Sequence, residues 1–181
     1  NFARASAQWS RISRARKDPV QRWWSSTNFF SNVSSAVSRC QPTAGPVELT
    51  VFTYRPANWS GARLLFVMHG VLRNADEYRD HAVGMGDRFD ALIVAPKFDA
   101  ERFPSRAYQR GGILREDRSA APPSEWTYSR LPEIAAAMRM RTGKPEAKLW
   151  LIGHSAGGQF LVRAAAFADL GAERIVAANP G

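Results

Sequence analysis

The sequence predicts an α/β fold in which a mostly parallel sheet carries helices on its faces. Three observations predict it. Short, unbroken apolar runs recur along the chain, helix-patterned segments separate them, and turn-forming residues mark the junctions.

The elements follow in order from Val47. There Val47, Leu49 and Val51, and less strictly Phe52 and Tyr54, alternate with polar residues, the pattern of a half-buried strand near a sheet edge. Residues 56–61, from proline to glycine, then turn the chain. The runs 64–68 (LLFVM), 92–95 (LIVA), 149–152 (LWLI) and 175–178 (IVAA) are strand-sized and apolar throughout, as parallel strands buried on both faces require. Between them, residues 76–89, 131–141 and 156–170 read as crossover helices, the last ending at Gly171 as a C-cap. The long connection 97–130 leaves a strand at the C-terminal edge of the sheet, where open α/β sheets bind ligands. Its Tyr108, Trp126 and Tyr128 are candidate pocket-lining residues, with packing inside the loop itself as the alternative. No repeat is visible, and Gly111-Gly112 is too isolated to form a phosphate loop.

Composition narrows the function classes. With 45% hydrophobic and 23% charged residues, 181 residues suffice for one sizeable core. No apolar run approaches the ~18 residues that a membrane span needs. The net charge of +9 resembles a nucleic-acid signature until its distribution is read. Residues 1–47 carry Arg4, Arg11, Arg14, Arg16, Lys17, Arg22 and Arg39 against Asp18 alone, and so hold six of the nine net charges. The remainder is mildly basic, its arginines scattered among acids, which argues against nucleic acid as a partner. Cys40 is the only cysteine, so an intrachain disulfide and a cysteine-based zinc site are excluded, and the compartment stays open between cytoplasmic and exported.

Residues 1–44 mix Arg, Ser and scattered aromatics without a sustained period and lead into a Pro- and Gly-containing stretch. They read as a basic, poorly ordered extension ahead of the domain at 45–181. A targeting segment or residual sequence is the alternative. The start at Asn1, and an end just after an apolar run, read as cuts in a longer chain.

The chemistry lies in Gly153-His154-Ser155-Ala156-Gly157, a G-x-S-x-G pattern between an apolar run and an Ala-rich helical segment. A serine at so sharp a strand-to-helix turn needs strained backbone angles and small residues two before and two after it, which Gly153 and Gly157 supply. Three fixed positions in five also arise by chance, and Ser155 would then be only a helix N-cap. The strand, both glycines and the helix falling in register favour the nucleophile.

On these residues the chain from about Val47 onward resembles the α/β-hydrolase superfamily, and within it esterases of the polyhydroxybutyrate depolymerase and feruloyl esterase type. His69-Gly70-Val71, directly after the run 64–68, is similar to the oxyanion-hole loop of such enzymes. The resemblance implies an α/β-hydrolase-type sheet, incomplete at the C-terminus, and an oxyanion hole formed by the backbone N–H groups of Val71 and Ala156. It implies Ser155 as nucleophile in an acyl-enzyme mechanism on a small-molecule or polymeric carboxylic ester, with neither metal nor organic cofactor. Acyl transfer or peptide hydrolysis on the same fold is the alternative, as is a non-catalytic truncated module.

The resemblance also implies a triad order of serine, acid, histidine, and no histidine follows Ser155. His69 reads as a loop-orienting residue, His154 as the variable position of the turn and His81 as a surface residue. Asp169 and Glu173, the only acids after Ser155, read as surface charges. Base and orienting acid are expected beyond Gly181.

Overall fold

A computed structural model describes residues 33–40 and 47–181. Six strands form one sheet: β1 (Val33–Cys40), β2 (Val47–Tyr54), β3 (Arg63–Met68), β4 (Ala91–Lys97), β5 (Lys148–His154) and β6 (Ala172–Ala178). Their spatial order is β1-β2-β4-β3-β5-β6. The four strands expected from continuous apolar runs are parallel to their neighbours, β4 to β3, β3 to β5 and β5 to β6, while β1 and β2 run antiparallel at one side.

The helices are α1 (Ala75–His81), α2 (Val83–Phe89), α3 (Arg130–Thr142) and α4 (Ala156–Phe167). β3 shows why helices are needed on both faces. Leu64, Phe66 and Met68 point into a core shared with Leu92 and Val94 of β4, Ile134 and Met138 of α3, and Phe160 and Leu161 of α4. Leu65 and Val67 point to the other face, where Ile93 and Ala82 bury, with Tyr78 and Met85 packed alongside. A strand apolar on both sides loses about 1.5–3 kcal/mol of burial per large side chain if either layer is missing.

Four expectations need adjustment. First, β1 occupies part of the segment read as an extension, pairing residue by residue from Val33 opposite Tyr54 to Cys40 opposite Val47. Residues 1–32 and 41–46 lie outside the described residues. Second, the edge near which β2 was expected is formed by β1, so β2 lies one strand in, between β1 and β4. Third, the helix expected over 76–89 is two helices meeting at Ala82, whose ψ of −2° relaxes the helical path. Gly84 and Gly86 weaken helix continuation there, and Gly86 is needed for contact: a methyl on it would stand 3.1 Å from the Ala91 carbonyl. Fourth, α4 stops at Phe167 because Ala168 turns extended, which delivers Leu170 to the core. Gly171, at φ 58°, belongs instead to a separate turn in which its N–H donates to Asp169 Oδ1 at 3.0 Å.

The connection between β4 and α3 is not an open lid. It carries an isolated bridge between Leu114 and Ala120 and two 3₁₀ turns, Pro123–Glu125 and Thr127–Ser129. Tyr108 and Tyr128 are fully buried, so the reading of them as pocket walls is corrected: they are core. Their rings lie 5.2 and 4.8 Å from Phe160 of α4, in tilted and edge-on contact. Trp126 packs partly buried on the same core and donates its indole N–H to the Ala121 carbonyl at 2.8 Å. A loop this long must bury side chains of its own to stay ordered, and aromatics bury the most area per residue ordered.

No helix among the described residues is long and apolar enough to cross a membrane.

Candidate functional site

Ser155 sits where β5 ends and α4 begins, at φ 54° and ψ −119°. No L-residue reaches that region without strain, at a cost of about 1–3 kcal/mol that the surroundings must offset. They do so through close packing. A methyl on Gly153 would stand 2.5 Å from the Gly157 backbone, one on Gly157 would stand 2.3 Å from the Met68 carbonyl oxygen, and one on Gly158 would stand 2.6 Å from the Ala178 carbonyl oxygen. The glycines let β5, α4, the end of β3 and the end of β6 approach backbone to backbone. The Ser155 N–H donates to the Ala178 carbonyl at 3.0 Å and pins the turn to β6.

The Ser155 side chain does not cap α4. A serine placed merely to start a helix would accept a bond from one of the first free N–H groups. Ser155 is partly exposed instead, at the positive end of the helix dipole.

The β3 loop reaches the same point. A methyl on Gly70 would lie 4.0 Å from Ser155 Cβ and 2.9 Å from the Tyr78 hydroxyl. Gly70 opens a turn closed by the Arg73 N–H donating to its carbonyl at 3.3 Å, so Val71 sits in the turn, mostly exposed. The Ala156 N–H belongs to the first turn of α4, where amides have no intrahelical acceptor. The structure thus brings Gly70, the residue before Val71, against Ser155, the residue before Ala156, with Gly153 and Gly157 packed beneath.

His69 is fully buried and both of its nitrogens are engaged. The Phe98 N–H donates to Nε2 at 3.0 Å, so the proton is on Nδ1, which lies 3.0 Å from the Gly70 carbonyl. The Tyr108 hydroxyl donates to the His69 carbonyl at 2.8 Å, and the two rings lie 4.7 Å apart. Burial holds the imidazole pKa down to about 4, so the ring is neutral near pH 7. This histidine orients the loop and has no nitrogen left to serve a serine.

His154 projects outward, its Nε2 3.4 Å from Asn179 Nδ2. Asp169 and Glu173 lie far from Ser155. Glu173 accepts from Lys148 Nζ at 2.5 Å and Trp150 Nε1 at 2.6 Å, at the opposite end of β5. Among the described residues, no cluster of three or more His, Cys, Asp or Glu could hold a metal.

Sequence reasoning did not anticipate a cavity of about 290 Å³ beside the turn. Val67, Tyr78, Met85, Ile152 and the exposed His81 wall it next to Gly153 and His154. It lies on the α1–α2 face, whereas the long connection packs on the other. The Tyr78 hydroxyl beside Gly70 was legible only as a residue one helix beyond the His-Gly loop.

Strand order and the serine at a sharp turn after β5 define the class: the chain has the α/β-hydrolase fold. Among solved structures it is similar to the poly(3-hydroxybutyrate) depolymerase LpqC from Bordetella parapertussis, at 30% identity and a TM-score of 0.73 over 80% of this chain and 50% of that one. It is similar to poly(aspartic acid) hydrolase-1 from Sphingomonas sp. KT-1, at 30% identity and a TM-score of 0.70 over 81% of this chain and 56% of that one. An acetyl xylan esterase from Aspergillus awamori shares the fold at 14% identity and a TM-score of 0.52, over 71% of this chain and 46% of that one. The chain thus spans about half the length of these proteins. No family model matches the chain, and no curated protein matches it.

Proposed function

We propose that the chain carries the nucleophile and oxyanion portion of a serine hydrolase that cleaves carboxylic esters. The observation that carries this reading is the backbone of Ser155, strained to φ 54° at a strand-to-helix turn while its hydroxyl caps nothing. Strain of this kind is kept where it aims a group, and here it presents Oγ at a helix N-terminus beside the Gly70 loop.

In the proposed reaction Oγ attacks the ester carbonyl carbon as a base removes its proton. The carbonyl oxygen becomes an oxyanion held by the N–H groups of Val71 and Ala156. The carbon–oxygen bond to the alcohol breaks, the alcohol leaves with the proton, and an acyl-Ser155 remains. Water then attacks the acyl carbon, releasing the acid and restoring the hydroxyl. The base is assigned to a histidine, and its orienting acid to a carboxylate, outside these 181 residues: His69 is spent on Phe98 and Gly70, and His154 faces away. The apolar cavity beside Gly153 is the natural place for an acyl group. The domain that carries this machinery is 45–181 together with the β1 strand, Val33–Cys40.

Similarity to a poly(aspartic acid) hydrolase favours a second reading, hydrolysis of an amide on the same machinery. A polymeric substrate is common to the names of both 30%-identical proteins.

The test is a fluorophosphonate probe with p-nitrophenyl ester turnover. In a longer chain that supplies the histidine and acid, the probe labels Ser155 and Ser155→Ala lowers turnover by several orders of magnitude while the fold melts unchanged. The 181-residue chain labels slowly. Absence of labelling in the longer chain overturns the reading, and comparison of ester with amide substrates separates its two forms.

A further inference from the structure

A cavity of about 760 Å³ lies between the 106–118 loop and α4, and five arginines wall it: Arg106, Arg110, Arg115, Arg118 and Arg163. Glu116 is the one acid on its wall. Only Arg115 is neutralised, by Glu125, whose two carboxylate oxygens lie 3.1 and 3.0 Å from its Nη2. Arg106 donates to the Leu114 carbonyl at 3.0 Å, and Arg163 donates to the carbonyls of Gln159 and Gln109 at 3.1 and 3.4 Å. Neither meets a carboxylate. The side chains of Arg110 and Arg118 make no hydrogen bond or ion pair with any described residue. Four guanidinium groups therefore face one concavity with a single carboxylate to offset them, a concentration of like charge that is relieved when an anion enters.

The rest of the wall narrows the anion. Ile113, Leu114 and Phe167 complete it, and Leu114 and Phe167 are 49% and 57% exposed. Guanidinium groups match planar carboxylates through paired N–H donors, and apolar carbons beside them favour an organic body over a hydrated inorganic ion. The volume lies within the ~300–1,000 Å³ of small-ligand sites. A nucleic acid would call for a charged track with repeated stacking platforms, and Phe167 is the only aromatic on this wall.

We propose that this cavity binds a small organic dicarboxylate with an apolar body. It is separate from Ser155: Arg163 lies eight residues along α4, about 12 Å at 1.5 Å rise per residue. The binding goes beyond the hydrolase reading and is measured without turnover.

The experiment titrates the 181-residue chain calorimetrically with 2,6-naphthalenedicarboxylate, its dimethyl ester, inorganic phosphate and a single-stranded DNA 12-mer. The dicarboxylate binds one to one, its affinity falls as salt rises, and Ser155→Ala leaves it unchanged. Arg118 sits at φ 68°, which glycine adopts freely, so the double variant Arg110→Gln, Arg118→Gly keeps the fold, and it weakens binding at least tenfold. A melting curve like the wild type's accompanies that result. Equal affinity for the diester, equal affinity in the double variant, displacement by equimolar phosphate or displacement by the DNA each overturns the proposal.

Discussion

At Ser155 the local problem is room. Between β5 and α4 the backbone must reverse within one residue, and only side chains without a Cβ let four backbone segments meet there. Gly157 is the tightest of them: a methyl on it would stand 2.3 Å from the Met68 carbonyl oxygen. Gly157→Ala is expected to lower stability by at least about 3 kcal/mol, read by urea denaturation, because backbone cannot yield as a flexible side chain can. A second residue-scale prediction concerns His69. Its pKa is lowered from 6.5 to about 4 by burial, so between those pH values the unfolded chain binds a proton that the folded chain refuses. Stability from this residue is therefore full above pH 6.5 and falls as pH drops toward 4, by about 3 kcal/mol at the limit. Denaturation midpoints at pH 7 and pH 5 measure the slope, and His69→Gln flattens it.

Among the elements, α4 carries the most. Its N-terminus meets the serine, its glycines touch β5 and β6, and Phe160 one turn later anchors the long connection through Tyr108, Tyr128 and Phe98, the last 5.9 Å away. Phe160→Ala is expected to cost about 3–5 kcal/mol. It should also raise hydrogen exchange across residues 98–129, because the ring holds that loop as well as the sheet. An unchanged exchange pattern there would show that the loop is held by its own bonds. The loop's backbone does contribute some, such as the Thr127 N–H to the Gly111 carbonyl at 2.8 Å. The aromatic count of 97–130 was readable in advance, but its destination was not: a tyrosine on a pocket wall and a tyrosine stacked beneath a helix have the same sequence signature. What distinguishes them is the partner, Phe160, tens of residues away in the chain.

At the scale of the whole molecule the sheet ends in β6, which pairs only with β5 among the described strands and leaves Val176 half-exposed. Unpaired strand edges with apolar faces invite edge-to-edge association. Val176→Lys is expected to raise the concentration at which the chain stays monodisperse in light scattering, without changing its circular dichroism. The parallel strands β3 to β6, the two-sided helical layers and the Gly-Ser-Gly turn were all legible beforehand, because each is written in neighbouring residues: unbroken apolar runs, 3.6-residue periodicity, two glycines around a serine. The strand β1 was not, since Val33–Cys40 has no apolar run and its ladder depends on the partner edge of β2. Nor was the division of labour among the histidines, which turns on Phe98 and Gly70 occupying the two nitrogens of His69. The same holds for charge. Four of the cavity's arginines are close in sequence, at 106, 110, 115 and 118, a local density that the reading of scattered charge passed over; only the tertiary structure decided that Arg163 of α4 joins them, because that convergence depends on long-range packing of the loop against the helix.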